Sequence, residues 1–78
     1  MENQRLVTEF RKSDREMVRI HLQTFRGQEY ADIRAWIKDE NSGEYRVTPK
    51  GLTIHVELLP ELIAALEKTA LMLDGARH

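Results

Sequence analysis

The chain has no cysteine, two prolines and four glycines, and aromatic residues make up 6% of its 78 positions. Without cysteine, neither a disulfide nor a thiolate metal site can staple so short a chain. A single core in a domain of this size supplies limited stability, which leaves oligomerisation as the remaining source of buried area. No apolar stretch approaches membrane-spanning length. The opening run Met1-Glu2-Asn3-Gln4-Arg5 lacks the apolar core of a signal peptide. One small soluble domain in the cytoplasm is expected.

A charge excess of either sign is missing too. Thirteen acidic residues face twelve basic ones, for a net charge of -1. That excludes a generic polycation coating nucleic acid, because nonspecific affinity depends on phosphate neutralisation. Distribution matters more than the sum. Met17–Val56 holds six bases and five acids, three of the acids (Asp39, Glu40, Glu44) in one loop, whereas Glu57–His78 holds two bases and four acids. Any basic surface is therefore local, on one face of a sheet.

What the chain does have is alternation. Val18, Ile20 and Leu22 alternate with Arg19, His21 and Gln23, the period of two expected of a half-buried strand. Phe25-Arg26-Gly27-Gln28 follows as a turn in which Gly27 can supply a positive φ. From Glu29 to Ile37 the alternation resumes, with Ala31, Ile33, Ala35 and Ile37 on one face and Tyr30, Asp32, Arg34 and Trp36 on the other. The polar cluster Lys38–Glu44 reads as a turn. A short strand at Tyr45-Arg46-Val47 is expected to end at Thr48-Pro49-Lys50-Gly51, and Leu52, Ile54 and Val56 mark a last strand. Leu6–Phe10 is expected to form a short strand within an N-terminal extension, 1–16. The main domain then spans 17–74, with 75–78 a tail.

Pro60 suits the first turn of a helix and Glu61 its positive end. The helix should run to about Leu73, with Gly75 as its stop. At about 100° per residue, Leu62, Ile63, Leu66, Ala70 and Leu73 form the main apolar stripe. Ala64, Leu71 and Met72 lie outside it, and a helix covering one sheet does not need them. They suit packing against a second helix. In a chain with one helix, that means a homodimer.

Arg19, His21, Gln23, Tyr30, Arg34, Trp36, Thr53 and His55 are expected to share the outer face of the sheet. Single-stranded nucleic acid uses such a combination: bases stack on aromatic faces, at roughly 1–3 kcal/mol per base, while cations neutralise the backbone. The residues alone leave a second reading open, in which Tyr30 and Trp36 pack against the N-terminal strand or a second copy, since scattered surface aromatics are ordinary.

The ordered set Thr24-Phe25-Arg26-Gly27, Asp32-Ile33-Arg34 and Pro49-Lys50-Gly51-Leu52, closed by one helix, resembles the transcriptional positive cofactor 4 family of single-stranded-DNA-binding coactivators. The resemblance runs from about Met17 to Ala70, and the small size looks like the family's bacterial members. It implies an α+β fold: a curved four-stranded antiparallel sheet followed by one C-terminal helix, dimerising through the helix. It implies that Phe25 stacks on a base, that Arg34 and Lys50 contact the backbone, and that Arg26 fills the turn's basic position. With Arg19, Tyr30, Trp36 and Arg46 these are the candidate nucleic-acid-binding residues, and Ala64, Leu71 and Met72 are the candidate dimer contacts. Three positions depart from the family pattern: Gln28 and Pro49 replace basic residues, and Ile37 stands at the stacking Trp position, with Trp36 one residue earlier. Weaker, salt-sensitive binding is the physical consequence.

Enzyme readings find no support. His21, His55 and His78 form no HxxH or HxxxH pair, and the glycines are isolated turn residues rather than a phosphate loop. Ser13 and Ser42 sit in polar turns without a base. The expected function is a homodimer without cofactor or metal, binding single-stranded or melted DNA as an accessory to transcription or to replication and repair. The expected partners include the transcription machinery, and a bacterial member would be nucleoid-associated. A protein-interaction module that has lost DNA binding, and a single-stranded-RNA binder, are the alternatives.

Overall fold

The structure, a computed structural model, describes residues 3–76. They form four strands, β1 (Asn3–Ser13), β2 (Glu16–Phe25), β3 (Gln28–Lys38) and β4 (Tyr45–His55), then a 3₁₀ turn (Val56–Leu58) and the helix α1 (Leu59–Ala76). The strands pair antiparallel in the order β1-β2-β3-β4. This is the expected α+β architecture, an open curved sheet followed by one helix. Arg77 and His78, the last residues of the expected tail, lie outside the described residues. Gly75 does not stop the helix, which runs on to Ala76.

β1 is longer than the expected Leu6–Phe10 strand, pairing with β2 from Asn3↔Thr24 to Ser13↔Glu16. Register shifts between Leu6 and Thr8 and between Arg11 and Ser13 break its alternation. A bulge of this kind puts two residues opposite one, so a strict period of two cannot find the whole strand.

The β2–β3 hairpin closes tightly, with Phe25 opposite Gln28. Its two central residues, Arg26 and Gly27, have φ of 52° and 75°. Positive φ at both positions is the primed turn whose twist matches the flanking strands. Gly27 adopts it freely, while Arg26 carries a Cβ into a region that L-residues avoid.

The two short strands expected over 45–56 are one strand. Between the pairs Arg34↔Gly51 and Trp36↔Val47, Thr48, Pro49 and Lys50 bulge out opposite Ala35. The Thr48 hydroxyl repairs the ladder by donating to the Ala35 carbonyl (2.7 Å) and accepting from the Lys50 N–H (3.2 Å). Pro49, with no N–H to satisfy, fits the bulge. Gly51 then returns so close to β3 that a Cβ would overlap the Ile33 carbonyl and Arg34 Cα. Pro49-Lys50-Gly51 thus bends β4 rather than ending it.

The register sorts the side chains into two faces. Val18↔Ala35, Ile20↔Ile33, Leu22↔Ala31, Ile33↔Leu52 and Ala31↔Ile54 make one face continuously apolar. The other carries Arg19↔Arg34, His21↔Asp32, Gln23↔Tyr30 and Tyr30↔His55. Helix α1 packs chiefly on the 3₁₀ turn rather than across the sheet. Apart from the half-buried Leu62, the large residues of the apolar stripe expected to cover the sheet are therefore exposed, as are those outside it: Ile63 is 54%, Leu66 58%, Leu71 71% and Met72 69% accessible. The reason is geometric, since a helix leaving the end of β4 through a single turn projects beyond the strands. Among the described residues, only Ala31 and Ala35 are buried apolar ones. The molecule is thin, 44 × 36 × 18 Å, with a radius of gyration of 14.9 Å. A compact chain of this length would have about 11.5 Å.

Candidate nucleic-acid interface

The polar face is built on the two central strands, where alternation aims every second side chain the same way. It is more enclosed than an outer face should be. His21, Gln23 and Asp32 are buried, while Ile37 and Leu52 on the apolar face are exposed. Three buried polar atoms on this face, His21 Nδ1, Gln23 Nε2 and Trp36 Nε1, have no hydrogen-bond partner among the described residues.

Aromatic rings and a guanidinium run across it. Arg19 Cζ lies 4.9 Å from the Trp36 ring centroid and 5.2 Å from that of Tyr45, within cation–π range of both. His21 stacks obliquely beside Trp36 at 5.5 Å, and Tyr30 meets His55 at 4.5 Å. Arg19 is in turn held by Glu9 on β1, Nε to Oε1 at 2.8 Å.

Arg34 sits at the centre of a knot. Its Nε and Nη2 donate to the Asp32 carboxylate at 3.0–3.2 Å, Nη1 to the Thr48 carbonyl at 3.3 Å, and Nη2 to the Thr53 hydroxyl at 3.2 Å. Thr53 donates to Asp32 Oδ1 at 2.7 Å. Burial pushes the Asp32 carboxyl up, but the hydrogen bonds from Arg34 and Thr53 and the Arg34 charge outweigh it and hold the carboxyl below its ordinary value. The Asp32–Arg34 pair is largely desolvated, with side chains 7% and 18% accessible. Arg34 is accordingly engaged by protein groups, and its guanidinium fixes the β4 bulge to β3.

The other expected site residues are dispersed. Phe25 is exposed at the hairpin end with the Arg26 guanidinium 5.1 Å from its ring. Arg46 is exposed and paired to Asp39 at 3.4 Å. Lys50 does not join Arg34 on the polar face. It lines a hollow of about 290 Å³ on the apolar side with Lys12, Val18, Ile33 and Leu52, and its charge acts on Glu16. The bulge turns it there, a displacement invisible to strict alternation. Ala64, Leu71 and Met72 are exposed on α1.

Tyr45 and Glu9 were missed by the sequence reading. Both belong to the polar face only through bulged strands; the signal available was Tyr45 standing two residues before Val47, in step with Trp36 across the ladder.

A thin curved sheet with a polar, ring-lined face and one trailing amphipathic helix defines a class of small α+β binding domains. Within it, the chain belongs to the family described as Transcriptional Coactivator p15 (PC4), whose sequence model matches residues 12–65. Solved structures agree. A PC4 homolog from Burkholderia pseudomallei, known in two crystal forms, matches with TM-scores of 0.79 and 0.80 at 28% and 27% identity. The alignments cover 87% and 90% of this chain and 98% and 93% of that one. The bacteriophage T5 homolog of the eukaryotic transcription coactivator PC4, implicated in recombination-dependent DNA replication, shares the fold. Its TM-score is 0.62 at 23% identity, covering 95% of this chain and 82% of its own. No curated protein matches the chain. The expected family, with bacterial and bacteriophage relatives, is the one found.

Proposed function

We propose that the protein is a homodimeric single-stranded-DNA-binding protein, acting without catalysis as an accessory to transcription or to replication and repair. The observation that carries this reading is the polar face: Trp36, Tyr30 and Tyr45 interleaved with Arg19 on a sheet of the PC4 family. Rings stack on unpaired bases without sequence preference, and guanidinium groups meet the backbone. Phe25 and Arg26 extend the surface at the hairpin tip, whereas Arg46, paired with Ile37, and Lys50, turned by the bulge, lie toward the apolar side and outside this surface. Arg34 positions the bulge that carries Lys50.

A second copy is supported by area. The chain exposes 6167 Å², whereas a folded monomer of its mass would expose about 4,900 Å². Joining two exposed helices and apolar sheet faces removes such an excess. A cytoplasmic, nucleoid-associated location fits this reading.

Titration of labelled single-stranded oligonucleotide against duplex competitor tests it. Single strands should win, and affinity should fall with salt by about 0.7 in logarithmic slope per phosphate contact. Equal binding to both with a flat salt response would point to a protein-interaction module, and preference for an RNA strand of the same sequence would assign the face to RNA.

A further inference from the structure

Strand β1 contributes something the matched stretch, residues 12–65, does not contain. Two of its side chains reach onto the polar face. Gln4 donates to the Gln23 side-chain oxygen at 3.0 Å, and Glu9 takes Arg19 at 2.8 Å. The second contact has consequences, because Arg19 is also the guanidinium that lies over Trp36 and Tyr45. One carboxylate therefore pins one cation across the largest ring of the face.

We propose that Glu9 is an affinity-setting residue for nucleic acid: it occupies Arg19 in place of a phosphate and holds the guanidinium over Trp36, so that a strand must displace Glu9 before it gains the cation and the ring. This rests on the nucleic-acid reading above. The chemistry is a competition between two oxyanions for one guanidinium, a carboxylate supplied by the protein and a phosphodiester supplied by the ligand. Both bind Arg through charge-assisted N–H···O contacts. The pair is partly exposed, with side chains 23% and 39% accessible, so exchange with an arriving phosphate needs no unfolding. The near-neutral net charge makes the device effective, because a ligand held by few phosphate contacts feels the loss of one.

The test compares Glu9→Gln with Glu29→Gln. The second removes the same unit of charge from the Arg5–Glu29 pair, whose residues share the apolar face with Leu22 and Thr24. Oligothymidine is the probe, read by fluorescence of the single tryptophan. Glu9→Gln should bind about two- to five-fold more tightly than the unmodified protein at low salt, the range of an exposed ion pair. Its salt slope should steepen by about 0.7, while Glu29→Gln changes neither. Equal gains in the two variants would overturn the proposal by reducing it to net charge, and no gain in Glu9→Gln would overturn it outright. If the unmodified protein binds no oligonucleotide, the nucleic-acid reading itself fails. The clamp is then judged on the free protein, where acrylamide must reach Trp36 more readily in Glu9→Gln, and equal quenching overturns it.

Discussion

Thr48 joins two halves of a strand with one hydroxyl, serving the Ala35 carbonyl and the Lys50 N–H at once. Thr48→Val keeps the shape and leaves both groups without that partner. Chemical denaturation should show a loss of about 1–3 kcal/mol. Asp32 makes the acid limb of stability. Its carboxyl is held low in the folded chain and returns to about 3.9 on unfolding. The unfolded chain therefore takes up the proton first as pH falls. The contribution is complete above the unfolded value and is lost as pH drops below about 4 toward the folded one. Asp32→Asn should flatten the fall in denaturation midpoint over that range. At the candidate interface, Phe25→Ala should weaken oligonucleotide binding by about 1–3 kcal/mol with little change of salt slope. Arg26→Ala, beside it at the tip, should instead lower the slope by about 0.7 along with the affinity. The sequence showed that Asp32 and Arg34 share a face, because they stand two apart in a strand. It did not show their burial, which depends on Thr48 and Thr53 arriving from β4. Arg26 at φ 52° is a further hint at the tip: a charged residue kept where glycine or asparagine would relax the turn points to use rather than stability.

Elements were legible wherever pairing was regular. The run from Val18 to Ile37 has no bulge between its two strands, and its faces and its turn at Gly27 came out as alternation required. β1 and β4 were fragmentary because bulges at Val7, Lys12 and Thr48–Lys50 shift the period. The helix was legible from Pro60 onward, but its packing was not. Amphipathic spacing says that a stripe is covered and is silent on what covers it. Leu71→Asp separates the possibilities. Leu71 is 71% accessible within one chain, so the change should cost an isolated chain no more than about 0.5 kcal/mol. A larger loss, with sedimentation shifted toward monomer, is the outcome expected of a helix buried against a second copy. Unchanged stability and sedimentation would remove α1 from any such interface.

For the whole molecule, a radius of gyration of 14.9 Å and two buried alanines describe a chain whose apolar surface is not closed by its own fold. Association makes stability depend on the amount of protein present. The thermal midpoint should rise with concentration across a hundred-fold dilution series, and a midpoint independent of concentration would rule out the second copy. The strand order β1-β2-β3-β4 has a consequence for how the protein is made. Each strand pairs with the one synthesised just before it, so loops are short and contacts local, the topology that folds fastest among sheets. The ribosome releases the strands in the order in which they pair. The helix, which carries much of the exposed leucine and methionine, emerges after all four strands. A nascent chain therefore completes its ladder before it displays its stickiest segment, and the interval in which an unpaired strand edge and a bare apolar helix coexist is kept short.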